Sequence, residues 1–314
     1  MMNIAGLKIG HATDGEHHTG CTVFLCPEGT VASVDVRGPA PGSRESALLR
    51  VDKPIQHING VVLTGGSAFG LATADGVMRY LAEQGIGHQT PIIPIPIVPA
   101  AVVYDLFFNQ GQHLPAAQMG YEACLNARED EDVQGNVGAG AGVTVGKWGG
   151  FENVVVMKAG FGIASTTIGD VTVSAAAVVN AVGDVVNVDG SVLAGAKKLD
   201  GEWLVSENQY RVFERGPLTQ QGTNTTLVVV ATNATLSKVE ANRLAQRAHD
   251  GFAIAIRPVH TTHDGDTAFA LATCEVEASF NLVANVAVEM VAEAIRNSVR
   301  HAETVGSVVG LASA

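Results

Sequence analysis

The segment Leu227–Ala231, LVVVA, most constrains what this chain folds into. Five consecutive apolar residues, three of them β-branched valines, leave no polar face to turn towards water. A run this short and this rich in β-branching reads as a strand, and a strand without alternation is buried on both sides. The residues just before it, Gly222, Thr223, Asn224, Thr225 and Thr226, are polar or small and stand at the mouth of that strand. They suit an ordinary strand-capping loop. They equally suit a bond that the protein cuts in itself, making Thr225 a new N-terminus.

The surrounding sequence fits closely packed layers of helix and sheet. The chain of 314 residues is 46% hydrophobic and 16% charged, with 36 glycines, a globular profile able to bury a large core. CTVFLC and TVASVDV are β-rich runs separated by PEGT, which predicts a hairpin. A strand, a glycine turn and a helix from about Ser67 to Glu83 follow, with Ser67 as N-cap and Gly85 as terminator. A second helix is expected over Ala116 to Arg128, and REDEDVQGN after it reads as a solvated loop. From Gly135 to Asp189, glycine turns alternate with Val-rich runs, and GEWLVSENQYRVFERGPLTQQ reads as an exposed loop. After the LVVVA strand, Thr235 is expected to cap a helix whose polar face starts at Lys238. DTAFALATCEV predicts a further strand and SFNLVANVAVEMVAEAIRNSVRHAE the strongest helix. Residues 1–314 thus read as one α/β domain.

Charge and motifs narrow the function. A net charge of −12 argues against a nucleic-acid partner, which needs a basic footprint. No secretory signal and no apolar run of spanning length is present, so a cytoplasmic location without a membrane partner is the expectation. Cys21, Cys26, Cys124 and Cys274 match no zinc or redox spacing and read as reduced thiols. GNVGAGAGVTVGKWGG resembles a phosphate loop only superficially, because Ala141 and Trp148 stand where that motif needs Gly and Ser or Thr. Lys147 remains as a lone cation in a sparsely charged segment, and Asn180 and Tyr104 sit in apolar runs where their polar groups need partners.

VHTTHDGDTAF concentrates His260, His263, Asp264 and Asp266. Such a set is able to ligate a metal, which opens a metal-dependent hydrolase as one reading. Alternatively, Asp264 and Asp266 are two apart at a strand start, so both carboxylates point to one face and tune a cationic or hydrogen-bonding partner. A turn built of good turn formers is the third reading.

Taken together, GLKIGHATD, GCTVFL, DVRGPAPGSRE, LTGGSAFGLATADGVMRYL, PAAVVYD, GNVGAGAGVTVGK, VVNAVGDVV, NTTLVVVATN and DGDTAFALAT resemble the L-aminopeptidase D-amidase/D-esterase family of self-processing hydrolases, which includes β-aminopeptidases and nylon-oligomer hydrolases. The likeness covers nearly the whole chain in order and spacing. It implies an αββα four-layer sandwich of the N-terminal-nucleophile-hydrolase kind, a homo-oligomer of tetramer size or larger, and no cofactor. It also implies a cut between Asn224 and Thr225, giving fragments 1–224 and 225–314. Thr225 matches the nucleophile, Lys147, Asn180, Asp264 and Asp266 its catalytic partners, and Tyr104 a tyrosine near the active site. Many relatives carry serine as nucleophile, and the aminopeptidase branch has Ser where Asp264 stands, so threonine with DGD places this chain nearer the Thr branch.

The implied chemistry is consistent. Cleavage would free the Thr225 α-amine, whose ordinary pKa of roughly 7.7–8.0 suits a general base at neutral pH. Nucleophile and base then belong to one residue. Asn180 would donate to the oxyanion, with Tyr104 assisting, and Lys147 would oppose the tendency of the two aspartates to keep the amine protonated. The expected activity is hydrolysis of small peptides or amides through an acyl-threonine. Acyl transfer on the same fold, or a catalytically silent binding protein, are the other readings.

Overall fold

The computed structural model describes residues 1–150, 154–204 and 224–313. Most of the expected exposed loop 201–221, and Gly222 and Thr223 before the strand, fall outside the described residues. Ten strands build two five-stranded sheets: β1 (Lys8–Asp14), β2 (Thr19–Leu25), β3 (Val31–Val36), β4 (Ser43–Arg44), β5 (Gly60–Thr64), β6 (Ala100–Val102), β7 (Phe161–Ile168), β8 (Val171–Asn180), β9 (Thr225–Ala234) and β10 (Thr267–Val276). The first sheet runs β1-β2-β5-β6-β4 and the second β3-β10-β9-β8-β7. Helices α1 (Thr73–Glu83) and α2 (Ala117–Leu125) cover the first sheet, and α3 (Lys238–Ala255) and α4 (Phe280–Arg300) the second. The result is the expected four-layer αββα arrangement.

The two periodicities of strand and helix explain the layering. Along β2, Cys21 and Val23 pack with Ala74, Val77 and Leu81 of α1, while Phe24 faces the core between the sheets. In β5, Val62 belongs to the helix side and Val61 and Leu63 to the inter-sheet side, as alternation requires. The LVVVA run lies in β9, the middle strand of the second sheet, and every residue from Leu227 to Ala231 is fully buried. Each of its larger side chains contributes roughly 1.5–3 kcal/mol by burial. Helices α1 and α2 approach so closely that a Cβ on Gly76 would stand 1.7 Å from the Ala117 carbonyl oxygen. Only glycine fits there.

Five local expectations are corrected. CTVFLC and TVASVDV form no hairpin, because β2 is already paired on both edges by β1 and β5. The PEGT turn instead hands the chain from the first sheet to the second, where β3 pairs with β10. α1 begins at Thr73, since Ser67 adopts a left-handed backbone (φ 52°) at the head of a 3₁₀ turn, Ser67–Ala72. α3 is capped by Ser237, not Thr235, through a capping box with Glu240. Lys238 starts no polar face; it is buried, and its Nζ donates to the carbonyls of Leu48, Lys53 and Ile55. In the acidic loop, Glu131 is likewise buried, accepting from the backbone N–H groups of Asp132 and Val133.

Candidate active site

Three adjacent strands converge at the N-terminal end of β9. Thr225 opens β9 and is paired with Asn180, the last residue of antiparallel β8. On its other side β9 runs parallel to β10, and just before both strands Asn224 bridges Asp264. The parallel register places DGD beside the Asn224–Thr225–Thr226 step, which lies forty positions earlier in sequence. Thr225 is 6% exposed, so this end of the strand is almost wholly out of water.

The Asn224 carbonyl is held from two sides. The Thr225 hydroxyl donates to it at 2.5 Å, and the Gly265 N–H donates at 3.0 Å. A Cβ on Gly265 would lie 2.7 Å from Thr225 Oγ1 and 2.8 Å from the Ala40 carbonyl oxygen, so the central residue of DGD has to be glycine for this approach. The two aspartates are anchored differently. Asp266 Oδ1 accepts from the Thr226 N–H at 2.6 Å, and Oδ2 lies 2.8 Å from His260 Nδ1. Asp264 Oδ2 accepts from the Thr261 N–H at 2.6 Å, whereas its buried Oδ1 has no hydrogen-bond partner among the described residues. Burial, and then the nearby Asp266 charge, raise the Asp264 carboxyl above the usual carboxylate range. The DVRGPAPG segment straps this loop in place: Arg37 and Gly38 donate their N–H groups to the Asp266 carbonyl, and Ala40 donates to that of Asp264.

Lys147 reaches the same end of the sheet from the far side of Asn180. Its Nζ donates to Asn180 Oδ1 at 2.7 Å and to the Asn180 carbonyl at 3.2 Å. Burial pushes its ammonium down to about 7, against the attraction of Asp264. Asn180 Oδ1 also accepts from the Thr144 N–H, and Asn180 Nδ2 donates to the Tyr104 carbonyl at 2.8 Å. The tyrosine therefore meets the site through its backbone, while its side chain is 36% exposed.

The fold thus brings Thr225, Asn180, Lys147, Asp264 and Asp266 together, with Tyr104 adjoining. It gives no metal centre from His260, His263, Asp264 and Asp266. The one group of three metal-ligating side chains among the described residues lies elsewhere, and both carboxylates here are engaged by backbone N–H groups. His260 serves instead as the partner of Asp266, with its backbone in the left-handed region (φ 54°). One contributor escaped the sequence reading: the Gly265 N–H left only the absence of a side chain between two aspartates as its signal. The sequence singles out His260 as a metal ligand, and its pairing with Asp266 is what the fold adds.

The sequence and the fold both resemble those of known proteins. The profile of peptidase family S58 matches residues 1–312. The chain belongs to that family. It is 41% identical over 296 residues to an uncharacterized aminopeptidase of Mycobacterium leprae, covering 88% of this chain and 79% of the relative. It is 33% identical over 277 residues to the 6-aminohexanoate-oligomer endohydrolase of Paenarthrobacter ureafaciens, covering 87% of this chain and 74% of that enzyme. Among solved structures, the L-aminopeptidase D-Ala-esterase/amidase of Ochrobactrum anthropi superposes with a TM-score of 0.74 at 19% identity, over 98% of this chain and 87% of the other. That structure is described as a variant of the Ntn-hydrolase fold. A Burkholderia sp. β-aminopeptidase superposes with a TM-score of 0.72 at 21% identity, over 98% and 88% of the two chains. The S58 chain described here is therefore a hydrolase of peptide or amide bonds on an Ntn-type sandwich.

Proposed function

We propose that this S58 protein cuts its own Asn224–Thr225 bond and then hydrolyses small amides with Thr225 as an N-terminal nucleophile. The observation that carries this reading is the Asn224 carbonyl, with the Thr225 hydroxyl on one side and the Gly265 N–H on the other. Attack of Thr225 Oγ1 on that carbonyl carbon forms a C–O bond, and the Gly265 N–H takes the developing oxyanion. Breaking the C–N bond moves a proton to the Thr225 nitrogen and leaves Asn224 as an ester on Oγ1. Water hydrolyses the ester, freeing the Asn224 carboxylate and the Thr225 amine. Lys147, held near neutrality of charge at pH 7 by burial, is the group suited to accept the hydroxyl proton at the start.

In turnover, the free α-amine is the base, the hydroxyl attacks the substrate carbonyl, and an acyl-threonine forms and is hydrolysed. Asn180, the strand partner of Thr225, is read as the donor to the substrate oxyanion, and Asp266 Oδ1 accepts from the Thr226 N–H and so holds the Thr225–Thr226 backbone. The buried Asp264 Oδ1, without a hydrogen-bond partner among the described residues, is read as the acceptor for a substrate ammonium. Small amides or oligomers with a free amino end are the proposed substrates, in keeping with the names of the aminopeptidase and 6-aminohexanoate-oligomer hydrolase relatives. A homo-oligomer is proposed as the working form.

Intact-mass spectrometry of the purified protein tests the scheme. Wild type is expected as fragments 1–224 and 225–314, and Thr225→Ala as one chain of 32.4 kDa. An uncut wild type that nonetheless hydrolyses amides would overturn it.

A further inference from the structure

Away from Thr225, the turn between β1 and β2 and the loop after Tyr104 bring together three side chains that the hydrolytic scheme leaves unused. Asp14 ends β1, His17 lies in the turn, and His113 comes from the segment leading to α2. Each offers one donor atom, and the three atoms lie within 4.8 Å of one another. We propose that Asp14, His17 and His113 form a site for a divalent transition-metal ion of the zinc class.

The donor set selects the class of ion. Two imidazoles and one carboxylate suit Zn²⁺, Ni²⁺ or Cu²⁺, whereas Mg²⁺ and Ca²⁺ take mainly oxygen ligands. Three protein ligands leave a fourth tetrahedral position to water. Donors sharing one such ion sit roughly 2.0–2.2 Å from it, so binding requires the three atoms to draw together and the stacked imidazoles to turn out of their parallel arrangement.

The backbone under the site is built. Asn109 is 9% exposed, and its Nδ2 donates to both the His17 carbonyl and the His113 carbonyl, each at 3.1 Å. Its Oδ1 accepts from the Gly111 N–H at 2.8 Å. One buried amide thus clamps the two histidine backbones side by side, and their rings stack with centroids 3.3 Å apart. The carboxylate is oriented too. Asp14 Oδ1 accepts from the His17 N–H at 3.0 Å, and Oδ2 lies 2.8 Å from His17 Nδ1. An incoming ion replaces the hydrogen bond between Asp14 Oδ2 and His17 Nδ1, and His17 then ligates as a neutral imidazole whose one ring proton is on Nε2, with no change of oxidation state.

The site bridges two segments that also touch the rest of the molecule. The loop carrying His113 begins at Asp105, whose carboxylate accepts from Thr19 Oγ1 of β2 and from the Gly66 N–H. An ion at Asp14, His17 and His113 staples the other end of that loop to the same hairpin, so its binding raises thermal stability.

Isothermal titration of ZnCl₂ into chelator-treated, full-length protein tests the proposal, with melting followed in parallel. Wild type is expected to bind one ion per chain and to melt higher with zinc. His113→Gln and Asp14→Asn, both close in shape to the native residues, are each expected to lose affinity by about tenfold or more. His17→Ala combined with His113→Ala is expected to bind none and to show no zinc-dependent rise in melting. Zinc affinity equal in wild type and His113→Gln, or no uptake by wild type at micromolar zinc, overturns the site. Circular dichroism of the zinc-free variants separates a lost ligand from a lost fold, and His113→Gln decides the matter should the double variant not fold.

Discussion

At Lys147 a cation has been stripped of water and given, among the described residues, an amide oxygen and a carbonyl as near acceptors. Removal from water disfavours the charged form, which is why its ammonium is pushed down to about 7. Below that value the amine is protonated and unable to take the Thr225 proton. Above it the amine is free. The rate of self-cleavage is therefore expected to rise as pH increases through about 7, measured as the appearance of the 225–314 fragment over time. Lys147→Met keeps the length of the stem and removes the base. It is expected to slow cleavage by roughly 10²–10⁴-fold, the usual contribution of a positioned acid or base. A Lys147→Met protein that cleaves at the wild-type rate would leave the proton transfer to another group. The importance of Lys147 was readable as an isolated cation among glycines and valines. Its partner Asn180 lies 33 positions later, and only the sheet brings them within 2.7 Å.

At the level of elements, β9 and the helix after it show how local signals divide into legible and illegible. LVVVA identified its own strand because continuous apolar residues admit no exposed face. The long apolar stripe of α4 likewise placed that helix, which spans Phe280–Arg300. Ends were harder. Thr235 and Ser237 are both good capping residues, and what selects Ser237 is Glu240 three positions on, whose carboxylate accepts from the Ser237 N–H at 2.9 Å. Ser237→Ala is expected to destabilise the protein by about 0.5–2 kcal/mol in urea unfolding, with Thr235→Ala falling below it. The reverse order would mean that the helix is capped elsewhere. The mistaken hairpin has a different origin. PEGT is good turn chemistry, with Thr30 Oγ1 donating to the Pro27 carbonyl at 2.7 Å and Gly29 at φ 81°. A turn of four residues reports a change of direction, not which sheet the next strand joins.

For the whole molecule, the buried charges couple stability to pH. Besides Lys147, Lys158 is buried, and its ammonium is pushed down to about 7 with Asp105 drawing it back. Both lysines have folded values below the unfolded lysine value of about 10.4. From about 7 upward the unfolded chain then binds more protons than the folded one, so unfolding free energy rises with pH. Burial acts in the other direction on thiols, pushing Cys26 and Cys124 up to about 12. An unfolded thiol ionises near 8.5, so above that pH the cysteines favour the unfolded chain and oppose the lysines. The urea midpoint is expected to climb from pH 7 towards about 8.5 and to flatten beyond it. A midpoint that falls across this interval would mean that the lysines keep their charge with a partner in the folded state.

The sequence by itself determined what is periodic or chemically loaded: the buried strand of LVVVA, the stripes of the long helices, the layered α/β class, and Thr225, Lys147, Asn180, Asp264 and Asp266 as the residues to watch. The periodic elements are legible because burial is a property of near neighbours, whereas the five site residues stand out as a set only through the family resemblance of their segments. Tertiary structure decided what depends on register. It set β9 between an antiparallel β8 and a parallel β10, and that pairing alone brings Asn180 to one side of Thr225 and Gly265 to the other. A shift of one residue in either register would turn these groups to opposite faces, because successive side chains on a strand alternate. The clamp on the Asn224 carbonyl is therefore a product of strand pairing, which no local stretch of sequence encodes.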